Sequence, residues 1–200
     1  MKQRTTHDAV EQDDKQLIES FLSGNESAYS AIYNKYTSPL YAYGIGMGFE
    51  EEHIQDAIHD VFYKLYFNRK LLKDVENLKF YLFRMLKNRL LDIYKTQTEF
   101  YEIDEYEYSF SIKATMLDDL ISEEERKDLQ KKVEDLMNCL TDRQSEAVYL
   151  RFMQEMEYED IAILLKMTPH ATRKLISRAI RRIREQNLPL YLLFFSLKVF

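Results

Sequence analysis

A short basic segment near the end of the chain is the strongest candidate for chemistry. Residues Thr168 to Arg184 carry six Arg or Lys and no Asp or Glu, although the whole chain has a formal charge of -6. The rest of the chain has 22 basic against 34 acidic residues. Clustered cations bind anionic polymers, because each can neutralise a phosphate. The segment therefore predicts nucleic-acid binding, with a merely solvated charged surface as the alternative.

Thr168 and Pro169 predict the start of the helix that positions these cations. Threonine is a good N-cap, and proline fits the first helical position, where its missing N–H would have no intrahelical partner. The helical period gives this helix a stripe that packs, formed by Thr172, Ile176, Ala179 and Ile183. The opposite, positive side holds His170, Arg173, Lys174, Ser177, Arg181 and Arg184.

The segment YEDIAILLKM, which precedes this helix, predicts the first half of a helix-turn-helix. It gives a short helix that buries Ile161, Ala162 and Leu165, and a tight turn then leads into the basic helix. In a helix-turn-helix, the second helix enters the DNA major groove. The basic side of the second helix would then face DNA.

Composition and periodicity predict an all-α protein. The chain has only four glycines and three prolines, and long side chains recur at helical spacing. We predict two small helical domains, at 14–95 and 128–186, the second being the helix-turn-helix. An acidic flexible linker at 96–127 joins them, since 99–125 holds ten acidic residues and one Lys. A hydrophobic tail follows at 187–200, and packing against this chain or a partner is its favoured role.

Two amphipathic helices are predicted in the first domain. The buried stripe of the earlier one comprises Ile54, Ala57, Ile58, Val61, Phe62 and Leu65. Its far side presents Asp56, His59 and Tyr63, with Asp60, Tyr66 and Phe67 at the edges. Exposed aromatics beside carboxylates indicate a binding face. The alternative for Tyr66 and Phe67 is that they fold under a neighbouring helix.

The later helix, from Asn77 to Lys95, carries five basic residues against one acidic residue, interleaved with aromatics. Its predicted buried stripe is Leu78, Leu82, Leu86, Leu90 and Ile93. A second stripe holds Tyr81, Arg84, Asn88 and Lys95, with Lys87 nearby. Such a surface suits single-stranded nucleic acid, because cations follow the phosphates and rings stack on unpaired bases. An amphipathic helix without such a partner would have a similar pattern.

The segment from Leu140 to Arg184 resembles the fourth conserved region of bacterial sigma factors, in the extracytoplasmic-function group of the sigma-70 family. The matching residues are Leu140, Arg143, Gln144, Tyr158, Asp160, Ile161, Ala162, Thr168, Pro169, Arg178 and Ala179. QDAIHDVFYKLY and FYLFRMLKNRLLDIYK are similar to the second conserved region of the same family. Their matching residues are Asp56, Asp60, Phe62, Lys64, Leu65, Leu82, Asn88 and Asp92.

This resemblance implies a sigma factor that directs core RNA polymerase to specific promoters by reading the -35 duplex and melting the -10 element. The implied core polymerase-binding residues are Asp56, His59, Asp60 and Tyr63. The implied -10 contacts are Arg69, Lys70, Asn77, Lys79, Tyr81, Arg84, Lys87 and Asn88. The implied -35 contacts are Thr168, His170, Ala171, Arg173, Lys174, Ser177, Arg178 and Arg181. The alternative is a helix-turn-helix regulator with a helical sensor domain.

The implied partners are core RNA polymerase, promoter DNA and an anti-sigma factor, with membrane contact only through a partner. Some residues depart from the family pattern. His59 replaces a glutamine, while Tyr66 and Tyr81 replace tryptophans. Thr172 replaces a valine, so its hydroxyl needs a backbone carbonyl as partner to avoid a desolvation cost of about 1–3 kcal/mol. Lys166 fills a turn position where glycine is frequent, so a positive φ there would be mildly strained.

We expect no enzymatic activity, no cofactor and no metal site. The histidines His7, His53, His59 and His170 show no metal-ligand spacing. YGIGMGF lacks the Lys-Ser/Thr of a phosphate loop and is expected to be an interhelical turn. The lone Cys139 is expected to be a small buried side chain. The polar amino-terminal residues favour a cytoplasmic location.

Overall fold

The computed structural model describes residues 13–97, 109–111 and 139–186, and every regular element within these ranges is a helix. In chain order these are α1 (residues 13–22), α2 (Glu26–Gly46), α3 (Glu51–Phe67), a 3-10 turn (Arg69–Leu72), α4 (Leu78–Gln97), α5 (Asp142–Val148), a π-helical turn (Tyr149–Met153), α6 (Tyr158–Leu164) and α7 (Pro169–Gln186). The predicted all-α fold is confirmed.

The chain divides into two compact units. The first comprises Met1–Gly44 and Phe49–Glu105, and the second comprises Ile45–Gly48 and Tyr106–Phe200. Of the predicted acidic linker, only 96–97 and 109–111 are described, and the predicted tail at 187–200 lies outside the described residues. None of the helices in the described ranges is long and apolar enough to cross a membrane.

The core of the first unit includes the packed sides of α3 and α4, together with buried residues of α1 and α2. All six residues of the predicted α3 stripe are buried: Ile54, Ala57, Ile58, Val61, Phe62 and Leu65. On α4 the predicted leucines are buried as well, joined by Phe83, while Ile93 is half-buried. The helical period therefore predicts correctly which sides of α3 and α4 pack.

A buried carboxylate joins α1 to α2. Asp14 accepts hydrogen bonds from the Lys35 ammonium, at 2.7 Å, and from the Tyr36 hydroxyl. Lys35 also donates to Asp13 at 2.7 Å. Burial, reinforced by the hydrogen bond to Asp14, raises the pKa of Tyr36 far above its usual range. The phenol therefore stays protonated and keeps donating to Asp14.

The glycines of YGIGMGF are mostly helical, so the expectation that the whole stretch is a turn is wrong. Helix α2 continues through Gly44 and ends at Gly46, and the turn that follows contains Gly48 at φ +79°. A Cβ on Gly44 would lie 2.8 Å from Cγ2 of Ile54, so glycine lets α2 approach α3 closely. Close packing, rather than backbone freedom, explains this glycine.

The second unit packs α5, α6 and α7 together. A capping box begins α5, where the Thr141 hydroxyl accepts from the backbone N–H of Gln144 and the Gln144 side chain accepts from the backbone N–H of Thr141. Phe110 is buried, donates its backbone N–H to Asp142 at 3.0 Å, and has its ring 5.5 Å from that of Tyr149. Residues 109–111 are thereby attached to the start of α5.

A Schellman motif ends α6 and forms the turn into α7. The backbone N–H of Met167 donates to the carbonyl of Ala162 at 2.8 Å, and that of Lys166 donates to Ile163 at 3.2 Å. This geometry places Lys166 at φ +51°, so the mild strain expected of a non-glycine residue at a positive φ applies here.

Cys139 is half-buried, so the expectation of a buried thiol is wrong. Partial burial raises the pKa of the thiol, while its backbone hydrogen bond and the charge of Arg182 act in the opposite direction. The residue lies just before the capping box of α5.

Candidate nucleic-acid interface

The first turn of α7 is fixed by Thr168. Its hydroxyl accepts a hydrogen bond from the backbone N–H of Ala171 at 3.2 Å, as expected of an N-cap, and Pro169 is the first helical residue. Both the cap and the position of the proline match the sequence prediction. The chain therefore defines where the basic helix begins.

The predicted packing stripe of α7 is buried throughout. Thr172, Ile176, Ala179 and Ile183 are each 3% exposed or less. The hydroxyl of Thr172 donates to the carbonyl of Thr168 at 3.1 Å. Thr172 stands where the resembled family has valine, and its hydroxyl thus has the backbone partner it requires. This stripe fixes the rotation of α7 and so determines which residues face outward.

The outward side of α7 presents a continuous basic surface. Of the predicted -35 contacts, Ala171 is half-buried and the others are exposed: Thr168, His170, Arg173, Lys174, Ser177, Arg178 and Arg181. The structure thus brings all eight residues together on one helix and its cap. Long cations above a rigid helix can follow phosphates and reach base edges in a major groove.

Arg173 has contacts within the helix-turn-helix that its sequence position did not reveal. Its Nη2 donates to Oε1 of Glu159 in the first turn of α6 at 2.7 Å. Its guanidinium also lies 5.3 Å from the ring centroid of Tyr158. Arg151 lies over the same ring at 4.6 Å and donates to the carbonyl of Met156 at 2.6 Å. These four side chains, Arg151, Tyr158, Glu159 and Arg173, are called the arginine-tyrosine cluster below.

Other arginines of the second unit bind the protein itself. Arg182 donates to the side-chain oxygen of Gln144 at 3.1 Å, and Arg143 donates to the carbonyl of Leu165 at 3.1 Å. Arg181 approaches Glu185 only to 4.0 Å, along an exposed side of the helix. Neighbouring arginines of α7 therefore differ, because Arg181 faces outward whereas Arg182 joins α7 to α5.

The predicted polymerase-binding residues lie on the outward side of α3. Asp56, His59 and Tyr63 are exposed, and the rings of His59 and Tyr63 are stacked with centroids 6.4 Å apart. The row continues to Phe67, which is 64% exposed and lies 4.4 Å from the Tyr63 ring. The row of His59, Tyr63 and Phe67 is called the aromatic row below. An exposed row of this kind is typical of a protein-binding surface.

Two residues at the edges of α3 turn toward neighbouring helices. Tyr66 is half-buried, packs on Tyr29 with ring centroids 5.0 Å apart, and donates its hydroxyl to Glu26 at 3.1 Å. Asp60 is half-buried and accepts from Arg89 of α4 at 2.7 Å. For Tyr66 the alternative of folding under a neighbour therefore holds, whereas Phe67 stays outside.

The predicted -10 residues surround the start and middle of α4 but differ in exposure. Lys70, Arg84 and Asn88 are exposed, whereas Arg69, Asn77, Lys79 and Tyr81 are half-buried. Asn77 also caps α4, because its side-chain oxygen accepts from the backbone N–H of Phe80 at 3.0 Å. Lys87 is only 7% exposed, so contact with a phosphate would require the side chain to leave the core.

Tyr81 is a half-buried residue of α4 whose hydroxyl stays protonated. Partial burial raises the pKa of Tyr81 above its usual value, and the neighbouring Arg84 charge acts in the opposite direction. A neutral ring beside a cation can stack on an unpaired base while the cation approaches the adjoining phosphate.

Across the described parts of the chain, no group of His, Cys, Asp or Glu could hold a metal ion.

Comparison with protein families gives an independent identification of the second unit. Residues 130–183 match the family model described as Sigma-70, region 4. This part of the chain is therefore similar to sigma-70 region 4. The resemblance inferred from Thr168-Pro169 and the basic helix is confirmed. For residues 130–183, the match agrees with the prediction that this part of the chain is not an enzyme.

Solved structures extend the likeness to the fold of both units. One is CnrH in complex with the cytosolic domain of CnrY, at 18% identity and a TM-score of 0.55, covering 86% of this chain and 96% of that chain. Another is the sigma factor RpoE in complex with the anti-sigma factor NepR from Bartonella quintana, at 21% identity and a TM-score of 0.54, covering 78% of this chain and 94% of that chain. No curated protein sequence matches the chain.

Proposed function

We propose that the chain is a sigma factor that brings core RNA polymerase to specific promoters and initiates transcription. The observation that carries this proposal is the outward basic side of α7 within a sigma-70 region 4. The region 4 match and the fold support a sigma-factor role. Catalysis belongs to the polymerase, and this chain supplies recognition.

The proposed reading of the -35 element uses the exposed residues of α7 on duplex DNA. The N-terminal turns of a recognition helix reach base edges, while later residues contact phosphates. Arg173 and Lys174 lie in the first two turns, and Arg181 lies further along the helix. We therefore assign base contacts to the earlier pair and a phosphate contact to Arg181.

The proposed capture of the -10 element uses α4 on the unpaired strand. Separating the duplex costs about 1.4 kcal/mol per base-pair step. Stacking of a base on an aromatic ring contributes about 1–3 kcal/mol, so the Tyr81 ring can offset a step if the strand reaches it. Arg84 and Asn88, both exposed on α4, are the proposed contacts to the same strand.

The proposed partner of α3 is core RNA polymerase. Asp56, His59 and Tyr63 form an outward surface that combines a carboxylate with stacked rings, and the half-buried Asp60 extends it. An anti-sigma factor is also proposed as a partner, since the RpoE structure is a complex with one. The proposal retains the predicted cytoplasmic location, because a sigma factor acts where the polymerase is.

Capture of core RNA polymerase tests the proposal directly. The tagged full-length chain is mixed with core polymerase of the source organism, and the wild type is expected to retain it. The double variant His59→Ala and Tyr63→Ala should weaken binding at least about tenfold, because exposed aromatics are typical hot spots. Gln16→Ala is the control, since Gln16 is exposed on α1 rather than on α3.

The same experiment separates a sigma factor from the alternative. The region 4 match covers only 130–183, so a helix-turn-helix regulator with a helical sensor unit is the competing interpretation. Such a regulator need not bind core polymerase stably. Failure of the wild-type chain to retain the polymerase, or to direct transcription from genomic DNA after reconstitution, would favour the regulator.

A further inference from the structure

The arginine-tyrosine cluster places a charged partner beside a residue proposed to contact DNA. Nη2 of Arg173 lies 2.7 Å from Oε1 of Glu159, and both side chains are more than half exposed, at 55% and 56%. Exposed ion pairs contribute little to folding. The main consequence of the pair is therefore for the position of the guanidinium rather than for stability.

The cluster restricts where the Arg173 guanidinium can lie. Glu159 binds one end of the guanidinium, and the Tyr158 ring lies beneath it at 5.3 Å. Arg151 lies over the same ring and is itself bonded to the carbonyl of Met156, so the ring is held in place. A free arginine side chain loses rotamer entropy when it binds, and a restrained one loses less. The remaining N–H donors of Arg173 are thus presented in one direction.

The charge of Glu159 adds a second restriction. A carboxylate beside the guanidinium repels the phosphate backbone, whereas the acceptor atoms of a base edge carry no net charge. The pairing therefore favours a base contact by Arg173 over a phosphate contact. Guanine is the base whose major-groove O6 and N7 match the two donors of an arginine fork.

We propose that Tyr158 and Glu159 are positioning residues that determine specificity, because they hold Arg173 for contact with a guanine in the -35 duplex. This inference rests on the proposed function and adds a base and a mechanism to it. Glu159 acts only through Arg173, so removing the carboxylate should relax the base preference without reducing attraction to DNA in general.

The test uses holoenzyme reconstituted from the full-length chain and core RNA polymerase, with sheared genomic DNA of the source organism as the probe. Captured fragments are sequenced to give base preferences upstream of the melted region. Glu159→Gln should lower the preference for guanine at one position by about tenfold and leave the other positions unchanged. Binding to a duplex of mixed sequence should stay the same or increase.

Glu185→Gln is the matched control, because it removes the same charge from an exposed carboxylate near Arg181 on the same unit. It should leave the guanine preference intact. In an Arg173→Ala background, Glu159→Gln should have no further effect on base preferences. A structural role for Glu159 would instead alter the preferences at all positions alike.

Three results would overturn the inference. The first is that Glu159→Gln keeps the guanine preference, and the second is that it lowers the base preference at all positions alike. The third is that Glu159→Gln changes the base preferences as strongly in the Arg173→Ala background as in the wild type. If Arg173→Ala removes one base preference and Glu159→Gln does not, only this inference fails. If wild-type holoenzyme captures no shared upstream sequence, the proposed function fails together with it.

Discussion

Helices α4 and α7 are both rich in cations, but they use them differently. On α7 the predicted contact residues lie outward above a completely buried stripe. On α4, by contrast, the predicted contact Lys87 is buried, whereas the predicted cations of α7 are all exposed. A basic helix therefore does not define a nucleic-acid surface by its charge alone, because part of that charge can be bound within the protein.

Among the substitutions that distinguish the two helices, Arg173→Ala is expected to have the largest effect on DNA binding. Arg173→Ala should weaken binding of the holoenzyme to promoter duplex by about 1–3 kcal/mol, because a bidentate base contact is lost. Arg84→Ala should leave duplex binding unchanged and weaken binding to the unpaired -10 strand. Equilibrium titration of labelled duplex and labelled single strand measures both. Equal losses on both probes would remove the distinction between the two helices.

Substitution of Lys87 tests whether this cation of α4 stabilises the fold rather than binding nucleic acid. Lys87→Ala should lower the free energy of unfolding by about 1–3 kcal/mol, since a long buried side chain is removed from the packed core. The salt dependence of single-strand binding should not change, because the buried ammonium neutralises no phosphate. Urea denaturation and salt titrations measure the two quantities. Lys95→Ala is the control, as Lys95 is exposed near the end of α4 and should leave the unfolding midpoint unaltered.

Within α7, Arg181 and Arg182 allow the same comparison between an outward cation and one bound to the protein. Arg181→Ala should reduce the slope of log affinity against log salt concentration for duplex DNA by about 0.9, the value for one phosphate contact. Arg182→Ala should leave that slope unchanged, because Arg182 binds Gln144. Identical slopes for the two variants would show that Arg181 contacts no phosphate.

The smallest predicted effect concerns the turn before α7. Lys166→Gly should raise the free energy of unfolding by about 0.5–1 kcal/mol, because glycine adopts the positive φ of this position without a Cβ penalty. Thermal or urea denaturation measures the change. Val75→Gly can be compared as a position without a positive φ, where destabilisation is expected instead. A loss of stability for Lys166→Gly would mean that the side chain, rather than the backbone angle, matters at this turn.

Much of the fold could be predicted from local patterns. Burial of the α3 stripe, the Thr168 cap and the positive φ of Lys166 each depend on residues close together in the chain. The bond of Thr172 to Thr168 is also local, since it spans one helical turn. Such features follow from helical periodicity and capping chemistry, which the sequence expresses directly.

The sequence could not reveal contacts between helices. The pairing of Glu159 with Arg173 depends on how α6 crosses α7, and the burial of Lys87 depends on what packs against α4. Long charged side chains can lie along a surface or fold beneath a neighbour, so periodicity does not determine their environment. The same reason explains why Tyr66 turned inward while Phe67 did not.

Because Gly44 approaches Ile54 closely, the sizes of the residues at these two positions depend on each other. A larger residue at Gly44 would meet Ile54 within 2.8 Å, so it becomes tolerable only if Ile54 shrinks at the same time. The two positions should therefore covary among chains with this fold and show a coupling energy in a double-mutant cycle. Because Ile54 belongs to α3, a small change at the end of α2 can reorient the aromatic row without altering any of its residues.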